Sequence, residues 1–517
     1  MQEPSFFWYD FETFGLDTRR DRPSQFAGRR TTLTFEPLGQ EVVIYNQPSR
    51  DYLPSPESCV LTKITPQECQ VRGLPENEFA QRIWQEVNTP NTVSLGYNTL
   101  GFDDEALRFL FWRNFLDPYS HQWAQDCSRW DIYPLVCAVW ALRGNDIRWP
   151  EWEKMDPTRY PQAVGKTGIS FKLEHLTQAN GLLHDKAHDA MSDVQATIQL
   201  AKLIAEKEPR LWQWAFANRK KATVSQALQQ GPVLWVNPRF GQRRGFMKIV
   251  QMLAVNTRNR NEVYVWDLGS DPSEIHEETS ESLQARLFPT REAREAGVKP
   301  LPIYRLPVNA SPFVCGDLRV LRADRAERFG VNVEAALANA AKIPELKSLF
   351  EGALKDFDDR EKDFPPQDID QALYEIGFLS KEDQDTRATI RKLSPEDLTE
   401  RISGGRLFFK DDRLNDLLWR YRARNWEASL TPEEQKRWAT FVYERLLTGV
   451  DPQWRTVTAF MEEIDQLMEA ISASEGGLDD AQSEVAEVLE QLYEWGEIVG
   501  ERASEAFEEA SAPLEHE

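Results

Sequence analysis

The sequence has few of the features that mark secreted or membrane proteins. Its five cysteines are an odd number and form no CxxC pair, which argues against a disulfide framework and against a zinc ribbon. No run of about 18 apolar residues occurs, so no transmembrane helix is expected. The N-terminus lacks a basic stretch followed by an apolar one, so no signal peptide is expected. These absences predict a protein of the reducing cytoplasm that has no membrane partner.

Positive charge is also scarce. The formal net charge is −23, and a strong negative charge usually disfavours a nucleic-acid partner. The charge is unevenly placed, because residues 475–517 contain fourteen acidic residues and one basic residue, Arg502. The rest of the chain is only mildly acidic and leaves room for local basic grooves. A nucleic-acid partner is therefore not excluded.

The sequence pattern divides the chain into four segments. Residues 1–205 mix strand and helix signals, which predicts an α/β region with a mixed sheet and flanking helices. Residues 206–355 contain alternating strands such as NEVYVWDLG, which predict a small β-barrel or sandwich with some helices. Residues 356–474 are helical in pattern, and residues 475–517 form an acidic amphipathic segment.

One predicted strand carries two carboxylates. The stretch FFWYDFETF, residues 6–14, has the aromatic composition of a buried strand but includes Asp10 and Glu12. Alternate residues of a strand share a face, so both acids point the same way and Phe11 points into the opposite layer. Two carboxylates on one face can share divalent ions. From this stretch alone, a salt bridge for one acid and solvent exposure for the other remains an equal alternative.

Two further motifs bring acids to helix starts. YNTLGFDDE places Asp103 and Asp104 at a predicted strand-to-helix junction, where either can cap the helix but both cannot. AHDAMSD opens a long predicted helix on which Asp189 and Asp193 share a face. His188 precedes them and is one of only six histidines. Taken alone, this motif is also explained by a capping aspartate and a surface histidine.

Together the three motifs suit one kind of chemistry. Four carboxylates can hold two Mg²⁺ ions roughly 4 Å apart. One ion lowers the pKa of a water molecule and the other stabilises the leaving oxygen of a phosphodiester. A histidine whose pKa is near neutrality can take the proton of that water. The combination predicts phosphodiester hydrolysis.

The order of these motifs resembles a known family. DxE, NxxxFD and HxxxxD follow one another as in the histidine subclass of the DEDD exonuclease superfamily. Longer stretches, including DRPSQFAGRRT, LEHLTQANG and YRARNW, resemble the bacterial exodeoxyribonuclease I family over roughly residues 5–470. The resemblance implies a ribonuclease-H-like exonuclease domain over 1–205, a Src-homology-3-like β-barrel domain over 206–355, and an all-α C-terminal domain over 356–474.

The resemblance also implies an activity. Members of the family digest single-stranded DNA from the 3′ end to 5′ mononucleotides, in DNA repair and recombination. Mg²⁺ is the implied cofactor, with two ions per site, and Mn²⁺ is an implied substitute. The domains are expected to form a C-shaped channel around the strand and to act as a monomer.

Position by position, the resemblance assigns the predicted active site. Asp10, Glu12, Asp103 and Asp193 match the metal carboxylates, and His188 matches the general base. The family motif thereby selects one member from each of the two acidic pairs.

The resemblance extends to substrate contacts. Glu12 is expected also to contact the 3′ end. Arg108, Tyr119 and Trp123 match positions that contact single-stranded DNA, where aromatic rings stack on bases and arginine neutralises phosphate. Tyr119 and Trp123 could equally be core residues. Lys172 stands where the family has arginine, and lysine keeps the charge but loses the bidentate fork.

A protein partner is implied as well. The family binds the acidic C-terminal tail of the single-stranded-DNA-binding protein through basic residues around the β-barrel. Arg143 and Arg322 match two of them. Val333 and Pro344 stand where further arginines are expected, although Lys342 is near.

Several alternatives stay open. A 3′ exoribonuclease or proofreading exonuclease of the same superfamily is disfavoured by the long segments after residue 210. A non-catalytic nucleic-acid-binding scaffold is disfavoured because all five site residues are present. Residues 475–517 are expected to form either a solubilising acidic helix or a segment that folds back on a basic groove in imitation of DNA or of the partner's tail.

Overall fold

The structure is a computed structural model that describes residues 3–143, 146–157, 160–182, 189–276, 278–359, 367–472 and 480–512. The predicted base His188 lies in the gap 183–188 and so outside the described residues. Within the described ranges, no helix combines enough length with enough apolar character to cross a membrane.

The N-terminal region is built on a mixed five-stranded sheet in the order β3-β2-β1-β4-β5. β1, β2 and β3 run antiparallel, while β4 and β5 run parallel to β1. The strands are β1 (Ser5–Thr13), β2 (Pro23–Thr32), β3 (Pro37–Tyr45), β4 (Thr92–Gly96) and β5 (Ser128–Asp131). The helices are α1 (Pro56–Thr62), α2 (Pro66–Arg72), α3 (Glu76–Val87), α4 (Asp103–Arg113), α5 (Tyr133–Leu142), α6 (Leu173–Ala179) and α7 (Ala190–Lys207).

The two faces of β1 pack into different layers. Phe7 and Phe11 join a cluster that includes residues of α3 and α4. Trp8 joins a separate cluster with residues of α5 and α7. Because side chains alternate, Asp10 and Glu12 lie on the Trp8 side, and α7 packs across β1 and β2. The predicted separation of the acids from Phe11 is therefore observed.

The middle region contains a second five-stranded sheet, antiparallel throughout, in the order β10-β6-β7-β8-β9. Its inner side is a cluster of valines around Trp235 that is covered by α9. The strands are β6 (Val233–Val236), β7 (Met247–Val255), β8 (Glu262–Asp267), β9 (Ile303–Pro307) and β10 (Phe313–Cys315). The helices are α8 (Pro209–Asn218), α9 (Lys221–Gln230), α10 (Ser280–Arg286), α11 (Arg291–Glu295), α12 (Ala323–Arg328), α13 (Val333–Ala340) and α14 (Ile343–Asp359).

The described C-terminal residues are helical, as the sequence predicts. α18 packs against α3 of the N-terminal region and against α19. The helices are α15 (Leu373–Ile376), α16 (Lys381–Ile390), α17 (Pro395–Ser403), α18 (Asp412–Trp426), α19 (Pro432–Tyr443), α20 (Val457–Ser472) and α21 (Asp480–Ser511).

The acidic segment is a packed helix. α21 contacts α19 and α20 and also α1 and α2 of the N-terminal region. Its buried side chains recur at helical spacing and include Val488, Leu489, Leu492 and Trp495, in continuation of the predicted stripe. The apolar side of residues 480–511 is thus buried in this core, and the fold-back of the segment on a basic groove stays a prediction.

A buried network of charges joins the N-terminal and C-terminal regions. Asp51, in the loop before α1, accepts hydrogen bonds from Arg424 at 2.7 Å and from Arg445 at 2.8 Å. Asp370 accepts a bond from Arg424 at 2.8 Å and faces Arg22 at 3.4 Å. Both carboxylates are fully buried. Each region thus supplies buried charges that the other region neutralises.

The arginines decide the ionisation of these carboxylates. Burial alone would raise the pKa of Asp51, but Arg424 and Arg445 hold it well below its usual range. Burial likewise opposes the charge of Asp370, and Arg424 and Arg420 keep its pKa low. Both groups therefore remain charged in the interior, where an unpaired carboxylate would be costly.

Replacing Asp51 with Asn should lower the free energy of unfolding near pH 7 by about 3 kcal/mol, because two buried guanidinium groups lose a shared partner. Since the folded-state pKa of Asp51 is lowered, its contribution is fully present above the unfolded value of about 3.9. That contribution is lost as pH falls through the lower folded value. Denaturant unfolding of both proteins between about pH 7 and pH 3 measures the difference between their free energies of unfolding. That difference should stay constant down to about pH 4 and become smaller below it.

Asp412→Asn is the matched control, since Asp412 is an exposed acid on α18, the helix that carries Arg424. It should change the unfolding free energy by less than about 0.5 kcal/mol. If Asp51→Asn and Asp412→Asn lowered the free energy of unfolding equally, the buried charge network would not have the stabilising role assigned to it.

Candidate active site

The two acids of β1 lie where the strand pairing changes. Asp10 pairs with Ala27 and Glu12 with Gln25, but Thr13 pairs with Pro23. The register therefore shifts between Glu12 and Thr13. Such bulges bend a strand and re-aim its side chains. This irregularity lies directly at the pair of carboxylates.

Asp103 is fixed against β1 at the start of α4. Its Oδ1 accepts a hydrogen bond of 3.0 Å from the backbone N–H of Phe11. The loop before α4 is held by Asp131, whose Oδ1 accepts bonds of 2.9 Å from the backbone N–H groups of Asn98 and Tyr133. These bonds place Asp103 beside the strand that carries the other two acids.

Asp193 is positioned by the start of α7. Asp189 is the N-cap residue, and its side chain accepts the N–H of Ser192 at 3.1 Å. Gln25 on β2 accepts the N–H of Ala190, the first residue of the helix, at 3.1 Å. Asp193 follows one turn later. Asp189 thus has the capping role that the sequence left open for it.

Three carboxylates meet at one point. Ligand oxygens of Asp10, Glu12 and Asp193 all lie within 4.8 Å of one another. Burial raises the pKa of Asp10, as do the negative charges of Asp103 and Asp193. Burial and the same two charges raise the pKa of Glu12 to about 8. Burial is also the main reason that the pKa of Asp103 rises to about 8.

A cluster of buried carboxylates whose pKa values are raised suits a cation site. Each carboxylate resists ionisation because the others are close and water is largely excluded. A divalent cation would relieve that repulsion, and an oxygen-only donor set is the type that hard cations prefer. The residues present therefore fit a divalent metal centre.

Asp104 has the opposite environment from its neighbour Asp103. Its buried carboxylate binds Arg129, Arg108 at 2.9 Å and the Nε2 of His121 at 3.2 Å. Burial alone would raise the pKa of Asp104, but Arg129 and Arg108 hold it well below its usual range. A carboxylate already neutralised by two arginines has less to gain from a cation, so Asp104 is a poor candidate for a metal ligand.

The structure separates the predicted DNA contacts into different environments. Arg108 is 9% exposed and bonded to acids of its own helix. The Tyr119 ring is half-buried and lies 5.6 Å from the Arg108 guanidinium carbon. Trp123 is 70% exposed, so it is not a core residue. Lys172 is exposed and pairs with Glu174 at 3.3 Å.

The two predicted partner residues share one pocket. Arg143 and Arg322 line it together with Arg210, Arg319 and Glu208. Arg143 also bonds the backbone carbonyl of Val320 at 3.3 Å. The pocket therefore has four basic side chains and one acidic side chain at its wall.

The sequence did not single out Gln25 or Asp131 as site residues. Both lie in stretches that carry the family resemblance, DRPSQFAGRRT and SRWD. Each orders a segment that carries a predicted metal carboxylate, Gln25 through α7 and Asp131 through the loop before α4. Asp131 ends a strand parallel to β4, a placement that could have drawn attention to it.

Comparisons with known proteins agree over most of the chain. Sequence models described as "Exonuclease", "Exonuclease I SH3-like domain" and "Exonuclease I C-terminal domain" match residues 7–201, 219–358 and 367–499. Exodeoxyribonuclease I of Haemophilus influenzae is 36% identical over 96% of this chain and 99% of its own length.

The chain belongs to the exodeoxyribonuclease I family. The predicted fold class, a ribonuclease-H-like α/β region followed by a small β-barrel and a helical region, is thereby confirmed. The C-terminal match runs to residue 499 and so includes much of α21, beyond the limit near residue 470 that the motifs suggested.

Solved structures of the family support the same assignment. Exonuclease I of Methylocaldum szegediense has a TM-score of 0.84 and 36% identity, covering 96% of this chain and all of that one. Escherichia coli exonuclease I in complex with a dA16 oligonucleotide has a TM-score of 0.84 and 34% identity, and it too covers 96% of this chain and all of its own. Further similar structures are a zinc-bound complex of E. coli exonuclease I with single-stranded DNA and a structure described as "SSB/Exonuclease I in complex with inhibitor CFAM".

The carboxylate cluster predicts a trade-off between stability and metal binding. Asp10→Asn should raise the melting temperature of the metal-free protein by about 2 °C, because it removes mutual repulsion among buried acids. The same change should largely remove the further rise that Mg²⁺ or Mn²⁺ causes in the unsubstituted protein. Thermal unfolding with and without each ion measures both effects.

Glu36→Gln is a control at an exposed acid near the same sheet. It should leave the metal-dependent shift unchanged. If the metal ions raised the melting temperature of Asp10→Asn as much as that of the unsubstituted protein, the cation would bind elsewhere.

Proposed function

We propose that this family member hydrolyses single-stranded DNA from the 3′ end to 5′ mononucleotides, with divalent cations held by Asp10, Glu12, Asp103 and Asp193. The observation that carries the proposal is the cluster of close, buried carboxylates at the end of β1. Membership of an exonuclease family supports it.

Each predicted site residue has its own proposed role in the reaction. The carboxylates of β1 and α7 would hold the cations that orient the reacting phosphodiester, and Glu12 would also contact the 3′ end of the strand. Bound cations would activate a water molecule and stabilise the leaving oxygen. His188 is the proposed general base, and it directly precedes Asp189, the cap of α7. The bond from Phe11 to Asp103 keeps α4 in register with β1.

Magnesium is the proposed physiological cation, with two ions per site and Mn²⁺ as a substitute. Carboxylate oxygens suit both ions. A zinc-bound structure of the E. coli relative with single-stranded DNA supports a divalent metal at this kind of site.

Single-stranded DNA is the proposed substrate because exposed and half-exposed rings accompany the acidic cluster. Trp123 and Tyr119 offer surfaces on which bases can stack without sequence preference. A complex of the E. coli relative with a dA16 oligonucleotide supports the choice of DNA.

A time course with 5′-labelled single-stranded DNA tests activity and direction together. Products should shorten stepwise from the 3′ end, and only when Mg²⁺ or Mn²⁺ is present. Asp193→Ala should reduce the rate at least about 100-fold, the loss that even outer residues of metal sites can cause. Binding of the oligonucleotide without metal should persist, because the stacking and basic contacts remain.

The same assay includes a control variant and distinguishes the proposed function from the competing ones. Asp412→Asn, far from the carboxylate cluster in sequence and exposed, should keep the full rate. Equal or faster digestion of a matched RNA oligomer would favour the exoribonuclease. If the protein bound the oligonucleotide but formed no product, a non-catalytic scaffold would be favoured. If Asp193→Ala kept full activity, the assignment of the active site would be wrong.

We also propose that the pocket of Arg143 and Arg322 binds the acidic C-terminal tail of the single-stranded-DNA-binding protein. Four arginines at its wall suit an acidic peptide. An adjoining apolar groove includes Val333 and would accept apolar side chains of the same peptide. The similar structure described as SSB/Exonuclease I supports this partner.

Arg322→Ala should weaken binding of a synthetic acidic tail peptide about fivefold, and the effect should shrink at high salt because the contact is between charges. Fluorescence anisotropy of the labelled peptide measures it. Arg291→Ala, at an exposed arginine of α11, is the control and should bind as the unsubstituted protein does. Unchanged binding by Arg322→Ala would place the partner on another surface.

We propose a cytoplasmic monomer. The free cysteines of the described residues are all buried thiols, which suits a reducing compartment.

A further inference from the structure

One acidic side chain lies among the arginines in the pocket of Arg143 and Arg322. Glu208 lies between α7 and α8, and its Oε2 is 3.7 Å from the Nε of Arg143. This separation is that of an ion pair but is longer than a hydrogen bond. Arg143 also donates to the backbone carbonyls of Leu142 at 3.0 Å and Val320 at 3.3 Å. Glu208 thus partly neutralises a guanidinium that the backbone holds in place.

The backbone and the side chain of Glu208 serve different purposes. The backbone N–H donates to the carbonyl of Ile204 at 2.8 Å, and the backbone carbonyl accepts the N–H of Trp212 at 3.0 Å. The backbone therefore belongs to the junction of α7 and α8. Within the described residues, the side chain makes no capping bond to α8. Its carboxylate faces the pocket instead, where it meets Arg143.

The ion pair of Glu208 and Arg143 is the least exposed in this pocket among the described residues. The two side chains are 16% and 28% exposed. Arg319 and Arg322 face acids whose side chains are more than half exposed. Salt screens partly buried charges less than exposed ones. Glu208 is therefore the acid with the strongest influence on the charge of the pocket.

The charge of Glu208 depends on Arg143. Burial raises the pKa of Glu208, Arg143 opposes that rise, and Asp146 and Arg322 add smaller effects of opposite sign. A peptide carboxylate that binds Arg143 takes over the positive charge that compensates Glu208. Glu208 would then remain charged, largely out of water and close to a second negative group, which costs free energy. The native ion pair and an acidic peptide therefore compete for one guanidinium.

We propose that Glu208 is a built-in competitor of the acidic tail peptide: it occupies Arg143 in the free protein and weakens the capture of the partner. The inference rests on the proposed function of this pocket. Affinity differences between related complexes lie mostly in the dissociation rate. The nuclease is thereby released from its partner more readily than four arginines alone would allow.

Four variants separate competition for Arg143 from a general effect of charge. Glu208→Gln removes the negative charge and keeps the shape of the side chain. Glu206→Gln is the matched control, since Glu206 is an exposed acid in the last turn of α7 and lies outside the pocket wall. Arg143→Ala removes the group for which Glu208 competes. The double variant Arg143→Ala with Glu208→Gln shows whether the two residues act together.

The readout is the dissociation constant of the labelled acidic tail peptide, measured by fluorescence anisotropy at low and high salt. Glu208→Gln should bind the peptide about fivefold more tightly than the unsubstituted protein at low salt, and the gain should shrink at high salt. Its complex should also dissociate more slowly. Glu206→Gln should bind as the unsubstituted protein does. With Arg143→Ala already present, Glu208→Gln should improve binding by less than about twofold. Thermal unfolding verifies that each variant is folded.

Three results would overturn the inference. Unchanged binding by Glu208→Gln would show that Glu208 does not compete with the peptide. An equal gain in Glu206→Gln would reduce the effect to the net charge of the protein. A full gain from Glu208→Gln in the presence of Arg143→Ala would show that Glu208 does not act on Arg143.

Failure of the proposed function would look different. In that case neither the unsubstituted protein nor Glu208→Gln would bind the peptide, or Arg322→Ala would bind it unchanged. The partner would then bind on another surface, and the role of Glu208 would fall with the pocket.

Discussion

The structure depends on a set of buried charges that neither region could neutralise alone. Asp51 and Arg22 come from the N-terminal region, whereas Asp370, Arg424 and Arg445 come from the C-terminal region. Taking such groups out of water is costly, and the cost is recovered only when the partners meet in the right geometry. The network therefore specifies one arrangement of the two regions more strictly than apolar contact would. The contacts of α4 with α15 follow from that arrangement.

The molecule uses buried aspartates in two contrasting ways. Asp51 and Asp104 are surrounded by guanidinium groups, and their pKa values lie below the usual range. Asp10 and Asp103 face other carboxylates, and their pKa values are raised. Asp103 and Asp104 are adjacent on one helix, so their side chains differ by a rotation of about 100° about the helix axis and enter different environments. The neutralised acid stabilises α4, and its neighbour remains available for a cation.

The sequence was sufficient for features that depend on local periodicity. Strand alternation placed Asp10 and Glu12 on one face, and helical spacing predicted the apolar stripe of α21. It was insufficient for contacts between distant segments. Nothing local distinguishes Asp51 from a surface acid, and its partners lie more than 370 residues away. The packing of α21 could not be predicted for the same reason, because its acidity was visible in the sequence, whereas the partner of its apolar stripe was not.

The packing of α21 against α1 and α2 has a consequence for biosynthesis. The core around Cys59 and Cys69 of the N-terminal region is completed by Leu489 and Leu492, more than 400 residues later in the chain. Domains generally fold in order as the ribosome releases them. Here the N-terminal region keeps an uncovered apolar surface until α21 has been synthesised and has left the ribosome. A chain that stops before α21 therefore carries an exposed apolar surface of the kind that chaperones and proteases recognise.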